Sequence, residues 1–296
     1  MFPIRDHNPS GRTPYVTYGL IALNVVIFVA YWPLFANERA LNLFFYDWAM
    51  IPAKVTQLGD FTGLLTSMFL HGGVLHLAGN MLFLWIFGDN MEDRMGHLPY
   101  LAFYLATGVA AGLAHILGGP ASMVPTVGAS GAIAGVMGGY LLLFPRARVD
   151  ILLFFLVFFR IIPIPAAIML VLWFALQVVA GLGSDPDMGG VAYWAHAGGF
   201  VAGLALTLPV FLRLGGPRFW RATHGSPPQF HPDREETPMT PPLKVTCHCG
   251  AVELRVTLSE GLSTARRCDC SFCRRRGAAA VSAPLSGVEV LRGADN

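Results

Sequence analysis

Four polar side chains in this sequence have types and spacings that could do chemistry together: Ser130, His196, His76 and Asn80. A serine hydroxyl becomes a nucleophile when a base accepts its proton, and imidazole is the usual base because its pKa lies near the working pH. The tetrahedral oxyanion that follows needs prearranged donors, such as an amide, an imidazole N–H or a backbone N–H at a helix N-terminus. These residue types predict acyl transfer at a serine.

The chain that must position them is strongly apolar. Apolar residues make up 54% of its 296 residues and charged residues only 13%, whereas soluble chains are about 25% charged. This composition argues against a disordered chain and an ordinary soluble enzyme. A formal net charge of +2 argues against a dedicated nucleic-acid binder, whose affinity depends on clustered phosphate contacts. The middle of the chain is therefore predicted to lie in a lipid bilayer.

Six apolar runs are candidates for membrane-spanning helices, since a bilayer core of about 30 Å needs roughly 20 apolar residues per helix. The runs are residues 15–36, 64–87, 98–117, 130–144, 164–182 and 191–212. The fourth run is short for a full span, so either protein flanks this helix or the membrane is thin there. We expect an all-α membrane protein with six transmembrane helices.

The distribution of Lys and Arg indicates how these helices are oriented. With a cytoplasmic N-terminus, the inner segments carry eight arginines, and the outer loops carry only Arg39 and Lys54. Positively charged loops favour the cytoplasmic side. We therefore expect a multi-pass protein of the bacterial inner (plasma) membrane with both termini in the cytoplasm.

This orientation brings the four polar residues to one depth. The second, fourth and sixth helices all begin at the outer surface, and Ser130 lies in the first turn of the fourth. His196 is five residues into its run, about 7.5 Å down at 1.5 Å per residue. His76 and Asn80, four residues apart, share one helix face. Taken singly, each also fits a structural role in packing or in hydrogen bonding between helices. Their common depth favours catalysis.

Rows of small residues lie beside the serine and the histidine. Such rows, spaced four residues apart, let membrane helices approach closely. They are Gly131, Gly135 and Gly139 in the fourth run and Ala195, Gly199 and Gly203 in the sixth. We therefore expect the fourth and sixth helices to bring Ser130 and His196 together.

The absence of acidic residues from the apolar runs excludes other classes. A proton-driven transporter usually needs an intramembrane carboxylate, and an intramembrane aspartyl protease needs two. An intramembrane zinc protease needs the motif HExxH, whereas the local sequence here is HLAGN over residues 76–80. Gln177, deep in the fifth run, is interpreted as a residue that bridges helices.

The same residues carry a family resemblance. The sequence GASG at 128–131, followed by AHAGGFVAG at 195–203, resembles the rhomboid intramembrane serine proteases. The segments HGGVLHLAGN at 71–80 and FGDNMED at 87–93 support it, and the likeness covers roughly residues 15–214.

The resemblance implies a six-helix rhomboid bundle with a Ser–His dyad and no cofactor for proteolysis. Ser130 would be the nucleophile and His196 the general base, while His76 and Asn80 would assist the oxyanion. It also implies single-span membrane protein substrates that are cut near a membrane boundary. A non-catalytic membrane-binding or chaperone protein of the same fold is the alternative.

A different kind of segment follows the membrane domain. Residues 215–242 hold seven prolines and are predicted to be an extended linker. Residues 252–258 alternate apolar and polar side chains, which indicates a β-strand. The predicted organisation is a cytoplasmic N-terminus (1–14), a membrane domain (15–214), the linker (215–242) and a small β-rich fragment (243–296).

All five cysteines lie in that last fragment, as CHC at 247–249 and CDCSFC at 268–273. Clustered thiolates in a cytosolic segment favour zinc over disulfides, and free thiols are the alternative. The pattern resembles a truncated start of the glutathione-dependent formaldehyde-activating (GFA-like) family. That resemblance implies one zinc ion held by Cys268, Cys270 and Cys273. A zinc-dependent function through this tail is therefore a further alternative.

Overall fold

The computed structural model describes residues 2–8, 10–155 and 158–227, together with short strands beyond residue 242. The chain divides into two compact units, Met1–Phe230 and His231–Asn296. The first unit is mainly helical and contains the four polar residues predicted to act together.

The first unit combines its helices with a small antiparallel sheet of order β1-β2-β3. The strands are β1 (Phe2–Asp6), β2 (Arg148–Phe155) and β3 (Phe158–Pro165). The helices are α1 (Tyr15–Tyr31), α2 (Glu38–Trp48), α3 (Pro52–Leu58), α4 (Thr62–Thr66), α5 (Val74–Met95), α6 (His97–Gly118), α7 (Ser130–Leu143), α8 (Ala166–Leu182), α9 (Tyr193–Arg213) and α10 (Pro217–Thr223). Two 3₁₀ turns, Trp32–Ala36 and Ser67–Phe69, extend α1 and α4.

Several helices have the length and apolar composition of membrane spans. Within the described residues these are Tyr15–Ala36, His97–Gly118 and Tyr193–Arg213, and the bent pair Thr62–Phe69 and Val74–Met95 is a fourth if it is counted as one span. Helices α7 and α8 are apolar but shorter. Each of these helices overlaps a predicted run, and the count of six spans stays a prediction.

The second predicted run is not one straight helix. Its two parts meet at 90°, and α5 begins only at Val74. Gly72 and Gly73 lie at the break, where glycine makes continued helix costly. The Tyr31 hydroxyl accepts from the His71 backbone N–H at 2.7 Å and donates to the His71 carbonyl at 2.8 Å. These bonds satisfy the His71 backbone N–H and carbonyl without helical partners, which favours the bend.

Helix α7 lies at the centre of the unit. It is buried along most of its length and packs against α5, α6 and α9. Its 14 residues extend about 21 Å at 1.5 Å per residue. Because protein surrounds the helix on several sides, its short length fits the first of the two explanations given above, flanking protein.

The fifth predicted run begins two residues earlier than the helix does. Ile164 belongs to β3, where it pairs with Val149, and α8 begins at Ala166. Pro163 and Pro165 explain the difference, since proline disfavours helical geometry in the preceding residue and donates no backbone hydrogen bond. The β2–β3 hairpin was not predicted from the sequence.

Helix α5 extends beyond its predicted end at Phe87 and carries a buried carboxylate in its last turns. Glu92 accepts from the backbone N–H groups of Val16 and Thr17 at 2.9 and 2.8 Å, and from the Thr17 hydroxyl at 2.8 Å. Its other contact is with His97 Nδ1 at 2.5 Å. Pro14, at the start of α1, provides no side-chain cap. Glu92 therefore caps α1 from a neighbouring helix, where a carboxylate also complements the helix dipole.

We expect Glu92→Ala to lower the free energy of unfolding by about 3 kcal/mol, because it leaves buried donors without an acceptor. Denaturant unfolding in detergent measures the change. Glu38→Ala is the control, since Glu38 is exposed in the first turn of α2. Equal losses in both variants would contradict a special role for Glu92.

The second unit is described only in its strands. Leu243–Thr246, Glu253–Val256 and Val288–Arg292 form one antiparallel sheet, and Arg266–Arg267 pairs with Ala279–Ala280. Glu253–Val256 lies within the segment of alternating side chains that was predicted to form a strand.

Candidate active site

Ser130 and His196 meet at the N-terminal ends of α7 and α9. Ser130 is the first residue of α7, and His196 lies in the first turn of α9. The distance between Ser130 Oγ and His196 Nε2 is 2.8 Å. This is hydrogen-bond distance, and it is the geometry in which an imidazole can accept the serine proton.

The glycine rows explain how two helices come close enough for this contact. A Cβ atom added at Gly199 would overlap the Gly131 carbonyl oxygen, and one added at Gly203 would overlap the Gly135 carbonyl oxygen. Backbone thus faces backbone along the α7–α9 contact. Gly139 faces Met91 and Thr207 instead, so it allows close packing of α7 against α5 as well as against α9.

His76 lies beside the serine across Gly128. A Cβ atom at Gly128 would be 2.9 Å from the His76 ring and 3.5 Å from Ser130 Oγ. Gly128 has φ +133°, which other residues rarely adopt. The glycine therefore permits both the turn into α7 and the approach of the imidazole to Ser130.

Asn80 lies one turn after His76 on α5 and is 8% exposed. Its Nδ2 donates to the His76 carbonyl at 3.0 Å. The amide is thus held within its own helix, on the face that carries His76. The structure brings Ser130, His196 and His76 together and places Asn80 on the adjoining turn of α5.

Gln177 contacts the histidine, which sequence reasoning did not predict. Its Oε1 lies 2.7 Å from His196 Nδ1, and its Nε2 lies 3.4 Å from the Trp173 carbonyl oxygen. The bond joins α8 to α9, so the predicted bridging role is correct, but its partner is His196. The one sign in the sequence that Gln177 has a role was a lone amide in an apolar run. Its partner could not be identified from sequence spacing, because a loop separates α8 from α9.

A cavity of about 610 Å³ lies next to this group. His76, His115, Thr126 and Trp194 line it, and His115 Nε2 lies 3.1 Å from Thr126 Oγ1. The cavity therefore combines apolar walls with a few polar groups, one of which, His76, also lies beside Ser130. Apolar walls with a few polar groups are typical of ligand-binding sites.

The zinc prediction falls on another part of the chain. Cys268, Cys270 and Cys273 lie outside the described residues, so the prediction stays untested. Among the residues that are described, no cluster of three His, Cys, Asp or Glu could hold a metal ion.

Comparison with known proteins gives relatives that include proteins named as rhomboids. "Rhomboid protein 1, mitochondrial" of Saccharomyces cerevisiae is 30% identical over 197 residues, which are 64% of this chain and 51% of the relative. "Rhomboid protease GluP" of Bacillus subtilis is 36% identical over 131 residues, 43% of this chain and 24% of the relative. The chain thus spans about half or less of the length of these relatives.

Among solved structures, a crystal structure of a Rhodobacter sphaeroides protein is 65% identical over 18% of this chain and 50% of that chain, with a TM-score of 0.18. A Rhomboid domain model matches residues 58–213, the range that contains Ser130, His196, His76 and Asn80. This match covers more than half of the chain and includes the long apolar helices α6 and α9. The chain is an integral membrane protein and belongs to the rhomboid family.

Proposed function

We propose that this chain is an intramembrane serine endopeptidase that cleaves transmembrane segments of membrane proteins. The observation that carries the proposal is the 2.8 Å contact between Ser130 Oγ and His196 Nε2. Membership in a family that includes the protease GluP supports it. Family membership alone does not decide activity, so the proposal depends on the dyad.

The first step is attack by Ser130. His196 Nε2 accepts the hydroxyl proton while Oγ bonds to the scissile carbonyl carbon, and the carbonyl oxygen becomes an oxyanion. His196 then gives the proton to the leaving amine, and an acyl-enzyme remains. Water attacks the ester in the second half of the reaction, with His196 again as the base. No cofactor is needed for these steps.

The oxyanion requires donors that are already in place. The Ser130 backbone N–H is one, because it belongs to the first turn of α7, where amides lack helical partners. His76 and Asn80 supply two more, from the helix that faces the serine. The Asn80 amide would leave the His76 carbonyl to reach the oxyanion.

The apolar surroundings of the site favour substrates that arrive from the bilayer. We infer single-span membrane proteins as the substrates, cut near one membrane boundary, since Ser130 and His196 lie at helix ends. Both termini would face the cytoplasm, as the arginine distribution predicts, and we propose the bacterial inner membrane as the location. We propose no nucleic-acid partner.

The test is cleavage of a single-span substrate by the purified chain in proteoliposomes, together with labelling by a serine-reactive fluorophosphonate. We expect both cleavage and labelling of Ser130. A chain that folds but shows neither would favour the alternative, a rhomboid-like protein that binds membrane segments without cutting them.

We expect Asn80→Ala to lower kcat by about 10²-fold with little change in KM, because an oxyanion donor acts mainly in the transition state. Initial rates over a range of substrate concentrations separate the two constants. Asn42→Ala is the matched control, since Asn42 is exposed on α2. An Asn80→Ala variant with the kcat of the wild type would remove Asn80 from the mechanism.

A further inference from the structure

Gln177 is the only residue of α8 with an amide, hydroxyl or charged side chain. The helix otherwise presents apolar side chains, several of them exposed, such as Leu176 and Val179. A polar group in such surroundings is costly unless it is hydrogen-bonded. Both ends of the Gln177 amide have partners, at 2.7 and 3.4 Å. The side chain is thus held in a defined orientation.

The Trp173 carbonyl fixes which end of the amide faces His196. A carbonyl oxygen can only accept a hydrogen bond, so the NH₂ group of Gln177 must point toward Trp173. The amide oxygen then faces His196 Nδ1, which must carry a proton to form the bond. A neutral imidazole has one N–H, so Nε2 is left as an acceptor for the Ser130 hydroxyl.

We propose that Gln177 is the positioning residue of the dyad: its amide oxygen holds His196 in the tautomer and ring orientation in which Nε2 accepts the serine proton. The inference rests on the proposed function, and it adds a third member to the predicted Ser–His dyad. In soluble serine proteases a buried carboxylate orients the histidine. Here a neutral amide does so, at a smaller cost of burial in an apolar helix.

The proton balance of this arrangement is simple. When Ser130 Oγ bonds to the carbonyl carbon, its proton passes to His196 Nε2, and the ring becomes positively charged. The Nδ1 proton stays on His196, since an amide oxygen is a weak base, and the bond to Gln177 Oε1 strengthens as the ring gains charge. Gln177 therefore acts through His196 and touches neither substrate nor the reacting atoms.

The Trp173 ring lies beside the same imidazole. The Trp173 and His196 ring centroids are 5.6 Å apart at an interplanar angle of 32°. The Trp173 side chain thus lies next to the imidazole, and its carbonyl accepts from the amide of Gln177 that contacts His196 Nδ1. Two residues of α8, one helical turn apart, hold the catalytic imidazole of α9.

The experiment compares Gln177→Met and Gln177→Glu in the full chain. Methionine keeps the approximate volume and shape but offers no comparable acceptor, whereas glutamate keeps an oxygen at the same position. Gln57→Met is the matched control, because Gln57 is exposed on α3. The measurements are kcat and KM in proteoliposomes, thermal unfolding, and ¹⁵N NMR of histidine-labelled protein, in which the His196 signals are identified by their loss in His196→Asn.

We expect the wild-type spectrum to place the His196 proton on Nδ1. Gln177→Met should lose this preference and lower kcat by roughly 10- to 100-fold, the value of a hydrogen bond to a charged group, with KM and thermal stability little changed. Gln177→Glu should retain the Nδ1 proton and most of the activity. Gln57→Met should match the wild type.

Three results would overturn the inference. One is a wild-type His196 with its proton on Nε2. This result would refute the positioning role of Gln177 even if a variant fails to fold. Another is a Gln177→Met variant in which both kcat and the tautomer of His196 are the same as in the wild type. The third is a loss of activity that follows only a loss of thermal stability, which would indicate a structural role. If the wild type does not cleave, the proposed function fails, and the spectra still decide whether Gln177 orients His196.

Discussion

Ser130→Ala is expected to abolish cleavage of a single-span substrate in proteoliposomes, with a fall in kcat of about 10⁶-fold. The variant lacks the oxygen that bonds to the scissile carbon, and the 2.8 Å contact with His196 Nε2 is lost with it. Alanine fits at the first position of α7, so expression and thermal unfolding should resemble those of the wild type. Fluorophosphonate labelling should also disappear.

His196→Ala should cause a loss of similar size, and the double variant should be no worse, since a nucleophile without its base gains little from being present. Ser226→Ala, which removes a hydroxyl near the end of the first unit, is the matched control and should cleave normally. Cleavage that persists in Ser130→Ala would refute the dyad. A wild type that binds substrates without cutting them would identify a non-catalytic member of the family.

Gly199→Leu is expected to inactivate the chain by separating α7 from α9. Even a Cβ atom at Gly199 would overlap the Gly131 carbonyl oxygen, and that obstacle is backbone, which cannot turn aside as a side chain can. A displacement of about 1 Å at a catalytic contact can cost 10²-fold in rate, and a leucine demands more than this. We expect a loss of at least about 10²-fold in kcat, together with a lower unfolding temperature.

The matched control for this change is Gly19→Leu. A Cβ atom at Gly19 would meet nothing within 4 Å, and the residue is exposed on α1. This variant tests the cost of leucine for glycine in a membrane helix without the steric conflict. Wild-type cleavage by Gly199→Leu would show that close approach of the two helices is not required.

Hydrophobic length and glycine spacing in the sequence were sufficient to predict much of this arrangement. The runs at 98–117 and 191–212 correspond to α6 and α9, because helix formation in an apolar run is a local property of the chain. The rows of small residues predicted the α7–α9 contact, and the structure confirms it at Gly199 and Gly203.

The bend before α5 and the β2–β3 hairpin could not be predicted from hydropathy alone. The bend depends on Tyr31, 40 residues earlier in the chain, whose hydroxyl binds the His71 backbone. Apolar side chains alone do not distinguish a strand from a helix, so the hairpin was missed despite Pro163 and Pro165. Both features depend on partners that are distant in sequence or on backbone geometry.

The sequence by itself determined that this chain enters a membrane, that it carries a serine and a histidine at helix ends, and that small residues allow those helices to meet. These are properties of residue type and local spacing. Only the tertiary structure decided that Gln177 binds His196 Nδ1 and that His76 approaches Ser130 across Gly128. The reason is that hydrogen bonds between helices depend on how each helix is rotated about its axis, and packing of the whole unit sets that rotation.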